Sequence, residues 1–140
     1  MAIVAPVITP VVGQTNIDGW QVIWGPLHNG DVGAAVGTTI GYGASSQQAP
    51  GGGLLSGFAD KTVQVVGTFG AGGTATIQGS NDAGANWFTL NDPFNNQLTL
   101  STAVLKEITE AIIWIRPSIT AGDGTTNLTV TMFLRKTATP

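Results

Sequence analysis

Between Asp60 and Leu90 the chain reads DKTVQVVGTFGAGGTATIQGSNDAGANWFTL, and the character of the side chain changes at nearly every step. Val63, Val65, Gly67 and Phe69 fall on one parity, and Thr62, Gln64, Val66 and Thr68 on the other. A period of two belongs to an extended strand with one face buried and the other facing water or a partner. Ala75 and Ile77 against Thr74, Thr76 and Gln78 repeat the pattern. The intervening Gly70, Ala71, Gly72 and Gly73 can take the positive φ of a tight reversal, so the spacing predicts an antiparallel hairpin here. A second polar turn, Asn81 to Asn86, leads into Trp87.

The same reading extends along the chain. Trp20, Val22 and Trp24 share a parity in a strand from Asp18 to Trp24, and Asn29-Gly30-Asp31 centres the turn that follows. Glycines 33, 37, 41 and 43 weaken any strand from Asp31 to Tyr42, and ASSQQAPGGG, Ala44 to Gly53, reads as loop. Phe88 and Leu90 continue a strand, Asn91 to Asn96 turns around Pro93, and Leu98 and Leu100 point inward. Thr102 to Ala111 is the one helix candidate, with Val104, Ile108 and Ile112 every four residues and Lys106, Glu107 and Glu110 opposite; β-branched Ile108 and Thr109 leave an irregular strand as its competitor. Ile112 to Ile115 is an unbroken apolar run that Arg116-Pro117 is expected to end, and Asn127 to Lys136 carries Leu128, Val130, Met132 and Leu134 inward. About seven or eight short strands separated by turns predict an all-β, two-sheet antiparallel sandwich of jelly-roll or Greek-key type.

Residues 1 to 18 are expected to stand apart as an extended N-terminal arm, with 19 to 140 forming a single β-sandwich domain. The arm is apolar and uncharged up to Thr15, so it is no ordinary disordered tail, while Pro6 and Pro10 keep it out of a sheet centre. It is read as lying on a neighbouring subunit. It lacks the basic residues that open a signal peptide.

Charge supports a covered surface. Only 9% of residues are charged and 42% are apolar, against roughly 25% charged in ordinary soluble domains. Such an exterior is expected to be shared with other protein. Five basic residues and a net charge of −3 argue against nucleic acid, and no stretch is long and apolar enough for a bilayer-spanning helix. The absence of cysteine removes disulfides and thiolate metal sites.

Chemistry finds few footholds. The single histidine, His28, lies in a polar turn with only Asp31 beside it, and a surface turn residue explains it better than a general base. Glu107 and Glu110 read as a solvated face, and the acids form no recognisable pair for glycoside hydrolysis. Asp82, Gly84 and Asn86 resemble the start of a calcium loop without its remaining oxygen ligands, which favours an Asx turn. Gly70 to Gly73 lacks the lysine and the following helix of a phosphate loop. Asn127-Leu128-Thr129 fits the glycosylation pattern by chance. No enzyme, cofactor or metal is expected. The four tryptophans, Trp20, Trp24, Trp87 and Trp114, could stack a sugar, although their apolar strand contexts favour a core or subunit interface.

The stretches DKTVQVVGTFGAGGTATIQGSNDAGANWFTLND, WIRPSITAGDGTTNLTVTMFLRK and WGPLHNGDVG together resemble a family of small virion proteins of tailed bacteriophages and prophages. The likeness spans roughly residues 20 to 136 and is nearest to the capsid cement, or decoration, proteins of short-tailed phages such as the Bordetella phage. The resemblance implies a jelly-roll-like protein made in the host cytoplasm. It would bind the major capsid protein outside a shell of HK97-type fold, as a dimer or alternatively a trimer. The interface with shell or sister subunit is then expected at Ile3, Val4, Val7, Ile8, Val11, Val12, Trp20, Trp24, Ile112, Ile113 and Trp114. The alternatives are a host-attachment or carbohydrate-binding module, and a tail or baseplate component.

Overall fold

Each alternating segment becomes a strand, and the strands form two sheets packed face to face. The computed structural model describes residues 1–12, 17–37, 60–110 and 112–135; the Ala44 to Gly53 loop and the end of the weak strand toward Tyr42 lie outside them. The described strands are β1 (Ile3–Val4), β2 (Val7–Val12), β3 (Ile17–Leu27), β4 (Val32–Gly33), β5 (Val36–Gly37), β6 (Asp60–Thr68), β7 (Thr74–Ser80), β8 (Phe88–Thr89), β9 (Thr99–Leu100), β10 (Val104–Ile108), β11 (Trp114–Ala121) and β12 (Asn127–Arg135). One sheet runs β1-β4-β11-β7-β8, with β5 also beside β11 and β9 beside β7; the other runs β10-β6-β12-β3-β2. All pairs are antiparallel except β1 with β4.

The inward parity is the one the sequence marks. Val63 and Val65 of β6, Ala75 and Ile77 of β7, and Leu128, Val130, Met132 and Leu134 of β12 are wholly buried in one core with Val22, Trp24, Ile115 and Ile119. This is the sandwich solution: each sheet hides one face against the other.

Four expectations are corrected. The glycine turn does not close a hairpin: β6 lies in the five-stranded sheet and β7 in the seven-stranded one, so Gly70 to Gly73 is a corner between layers. Its backbone freedom is still used, with φ at +70° at both Gly70 and Gly72, and a Cβ on Gly70 would run into the Asp123 carboxylate. The helix candidate is an edge strand, β10, paired residue for residue with β6 from Val104↔Val65 to Ile108↔Lys61. Its period-four apolar positions were coincidental, because Val104, Lys106 and Ile108 share one strand face.

Pro117 does not end its strand either. Ile119 N donates to Asp31 O at 2.8 Å, so two residues earlier the proline nitrogen faces the same side. That side holds the break between β4 and β5, where no ladder donor is required, and Gly33 leaves room for the proline ring.

The N-terminal arm, finally, belongs to the domain's own sheets. β2 pairs with β3 from Val7↔Ile23 to Val12↔Ile17, and β1 lies parallel to β4. Asp31 fastens the entry: Val32 N donates to Ala2 O, and Ala2 N donates back to Asp31 Oδ1 at 3.1 Å. The His28 amide, also donating to Asp31, is the chief cause of that carboxylate's lowered pKa. Pro10 is tolerated because β2 is an edge strand, and Pro6 lies between β1 and β2, outside either ladder.

Three sheet-changing connections, 28–31, 69–73 and 122–126, gather at one end of the sandwich. Asp123 ties two of them, its Oδ2 accepting from Ala71 N at 2.9 Å, while Thr126 Oγ1 donates to Phe69 O at 2.7 Å. Asn29 Nδ2 donates to Gly122 O and joins the third. The opposite end, where β7 finishes and β11 begins, is open among the described residues.

Candidate functional site

Two surfaces merit description: the outer face of the five-stranded sheet and the open end. On the face, register places Leu105, Gln64, Thr131, Ile23 and Val7 in one row across all five strands. The next row is Glu107, Thr62, Phe133, Gln21 and Thr9. Two adjacent rows therefore hold one ionisable residue, Glu107, and none of their side chains is buried. Leu105 is 65% exposed and Val7 64%, so the row presents apolar side chains at both of its ends. The face ends in a hollow of about 330 Å³ beside the Asp60–Arg135 ion pair, whose N···O distance is 3.8 Å.

The expected interface residues separate into groups. Ile3, Val7 and Val11 are exposed along the β1–β2 edge, and Val4 and Ile8 pack against the core from there. The side chain of Val12 lies outside the description. Trp20 is half-buried against the core, as is Ile112 at the open end, and Ile113 is half-buried beside it.

Trp24 and Trp114 are corrected from interface to interior, both being buried. Trp24 reaches across the layers, its Nε1 donating to Ala34 O at 2.9 Å. The four tryptophans thus form no common platform. Trp87 is half-exposed, with the Arg116 guanidinium 4.0 Å from its ring centre and Arg116 Nε donating to Gln78 Oε1. Leu105, Phe88 and Phe94 were missed as surface residues; reading VLKEI as a strand would have exposed Leu105.

At the open end, a groove of about 340 Å³ is lined by Asp82, Asn86, Phe88, Thr89, Glu110 and Ile112, with Gly79 and Leu90 beneath. The Asp82 turn is an Asx-type loop: Asp82 Oδ1 accepts from Asn86 N at 2.9 Å and from Ser80 Oγ, and Oδ2 accepts from Asn86 Nδ2. Glu110 accepts from Asn91 N and Nδ2 instead of sharing a face with Glu107. Inward-pointing Lys61 at the start of β6 is buried, which pushes its ammonium pKa down, while Asp60 and Glu110 act in the other direction. His28 stays exposed on its turn, Nδ1 3.5 Å from Asp31 Oδ2. Among the described residues, no group of three or more His, Cys, Asp or Glu is placed to hold a metal ion.

Hydrogen bonding to their ionised forms lowers two carboxyls from the ordinary 3.8 to about 2: Asp82, chiefly through the Asn86 side chain, and Asp123, chiefly through Thr125. A folded pKa below the unfolded one contributes stability that is present above the unfolded value and lost as pH falls through the folded value. The melting temperature is therefore expected to drop as pH is lowered from about 4 to about 2. Circular-dichroism melts should find that drop shallower in Asp123→Asn, and an identical pH slope would contradict the assignment.

Comparison with protein-family models, with curated proteins and with solved structures finds no match.

Proposed function

We propose that this protein is a structural component of a virus particle, a jelly-roll-like cement subunit that docks on the outside of a shell of major capsid protein. The observation that supports this reading most is the double row on the five-stranded sheet, in which Glu107 is the one ionisable residue. A surface of Thr and Gln with exposed Leu105 and Val7 and half-buried Ile23 offers hydrogen bonds and apolar contact with almost no charge to desolvate. Exposed Ile3 and Val11 prolong it from Val7 along the β1–β2 edge, where a sister subunit would join. Such contacts can be modest individually, because shell symmetry repeats them over every copy. Neighbouring capsomers are thereby bridged and the filled head resists internal pressure.

The reading is tested with heads stripped of the protein and then re-coated. Coated heads should release DNA at a higher temperature than bare ones. Thr131→Lys, at the centre of the row, should weaken coating by about tenfold or more, the cost of a desolvated unpaired charge, while leaving the melting of the isolated protein within about 0.5 kcal/mol of wild type. Equal release temperatures for bare and coated heads would overturn the proposal, as would normal coating by Thr131→Lys.

A further inference from the structure

We propose that the groove at the open end of the sandwich binds a neutral saccharide unit. Two kinds of wall meet there. Phe88 shares the parity of buried Leu90, yet it is 70% exposed, presenting an aromatic ring in a groove that half-buried Ile112 also lines. The same groove has a polar lining whose members are held by hydrogen bonds. Asn81 spends its Oδ1 on the Ile113 amide, and Asn86 spends its Nδ2 on Asp82, so Asn81 Nδ2 and Asn86 Oδ1 remain uncommitted among the described residues. Thr89 adds a hydroxyl. The carboxylates of Asp82 and Glu110 are fixed in place by Ser80, Asn86 and Asn91, with lone pairs left to accept further hydrogen bonds.

That pairing selects a class of ligand. A pyranose has an apolar face of ring C–H groups and an edge of hydroxyls, and it matches an aromatic wall alongside carboxylate and amide groups. The groove's described lining includes two acids and no cation, which disfavours anionic ligands. A rim fixed before binding adds little ordering cost. The chain departs here from the tryptophan platform its sequence suggested: the aromatic that faces solvent is Phe88, while Trp24 and Trp114 are interior.

The test is saturation-transfer NMR on the full chain with the methyl glycosides of glucose, galactose, mannose and N-acetylglucosamine, and with sialic acid as the anionic comparison. At least one neutral glycoside should receive saturation at its ring C–H protons, and sialic acid should not. Phe88→Ala should weaken that binding about tenfold without moving the melting temperature, since the ring is largely in water. Phe88→Tyr should retain it. Silence from all four neutral sugars, binding that survives Phe88→Ala, or equal binding of sialic acid would each overturn the proposal. Shell docking is assigned to the other sheet, so Phe88→Ala should coat heads normally and the two readings can fail separately.

Discussion

Trp24→Ala is expected to cost about 3–5 kcal/mol, a large share of the stability of an ordinary domain. The indole starts from β3 in one sheet and ends against the other, donating to Ala34 O in the gap between β4 and β5. It is wholly buried, so truncation removes apolar contact with both layers and leaves the Ala34 carbonyl without this partner. Gly33 is shaped to receive it: a Cβ there would sit 2.5 Å from Trp24 Cδ1 and 2.7 Å from two ring carbons of Pro117. Gly33→Ala is accordingly expected to cost about 1–3 kcal/mol by overpacking. In the Trp24→Ala background part of that cost should vanish, because one of the two clashing neighbours is gone. Urea denaturation of the two single variants and the double variant measures the coupling. Strict additivity would mean that the ring and the glycine do not share one packing site.

Removing residues 1–12 is the second large perturbation. A detached arm could be cut away with no change in the melting of the isolated protein. Here the cut takes β2 from the edge of β3 and β1 from the edge of β4, together with buried Pro6 and the core contacts of Val4 and Ile8. The expected loss is on the order of 3 kcal/mol from apolar burial and broken ladder bonds. The newly bare edge of β3 should also raise aggregation. Chemical denaturation and amide exchange along β3 provide the measurements, and an unchanged midpoint would return the segment to the status of a free arm.

How much of this was legible depended on the range of the forces involved. Side-chain parity is local, and the inward faces of β6, β7 and β12 were readable from Val63, Ile77 and Met132 and their neighbours. Whether a glycine-rich turn folds the chain back beside itself or carries it to another layer is not local. The hairpin expected at Gly70 to Gly73 failed because the partners of β6 and β7 arrive from β12 and β11, dozens of residues away. Pro117 misled in the same way, whereas Pro10 correctly kept its strand out of the sheet centre, β2 being an edge. A missing N–H matters only where a neighbouring strand needs it, and the sequence does not say where the gaps and edges fall. For the candidate sites, low charge foretold a face suited to other protein, but the residues composing it emerged only from the register that aligns Leu105, Gln64, Thr131, Ile23 and Val7. The open-end groove depends on Glu110 and Asp82 lining one hollow from separate turns, and nothing in their spacing announces that.

The position of β12 has a bearing on how the molecule is born. It is the last of the described strands in chain order and yet the middle plank of its sheet, with β6 on one side and β3 on the other. Until Asn127–Arg135 leaves the ribosome, the newly made polypeptide owns two unconnected ribbons, β2 with β3 and β6 with β10, each with a bare flank. Closure must wait for that keystone, so assembly is inherently a late, long-range event, and the interval before it is when the nascent molecule most needs shelter from its own kind.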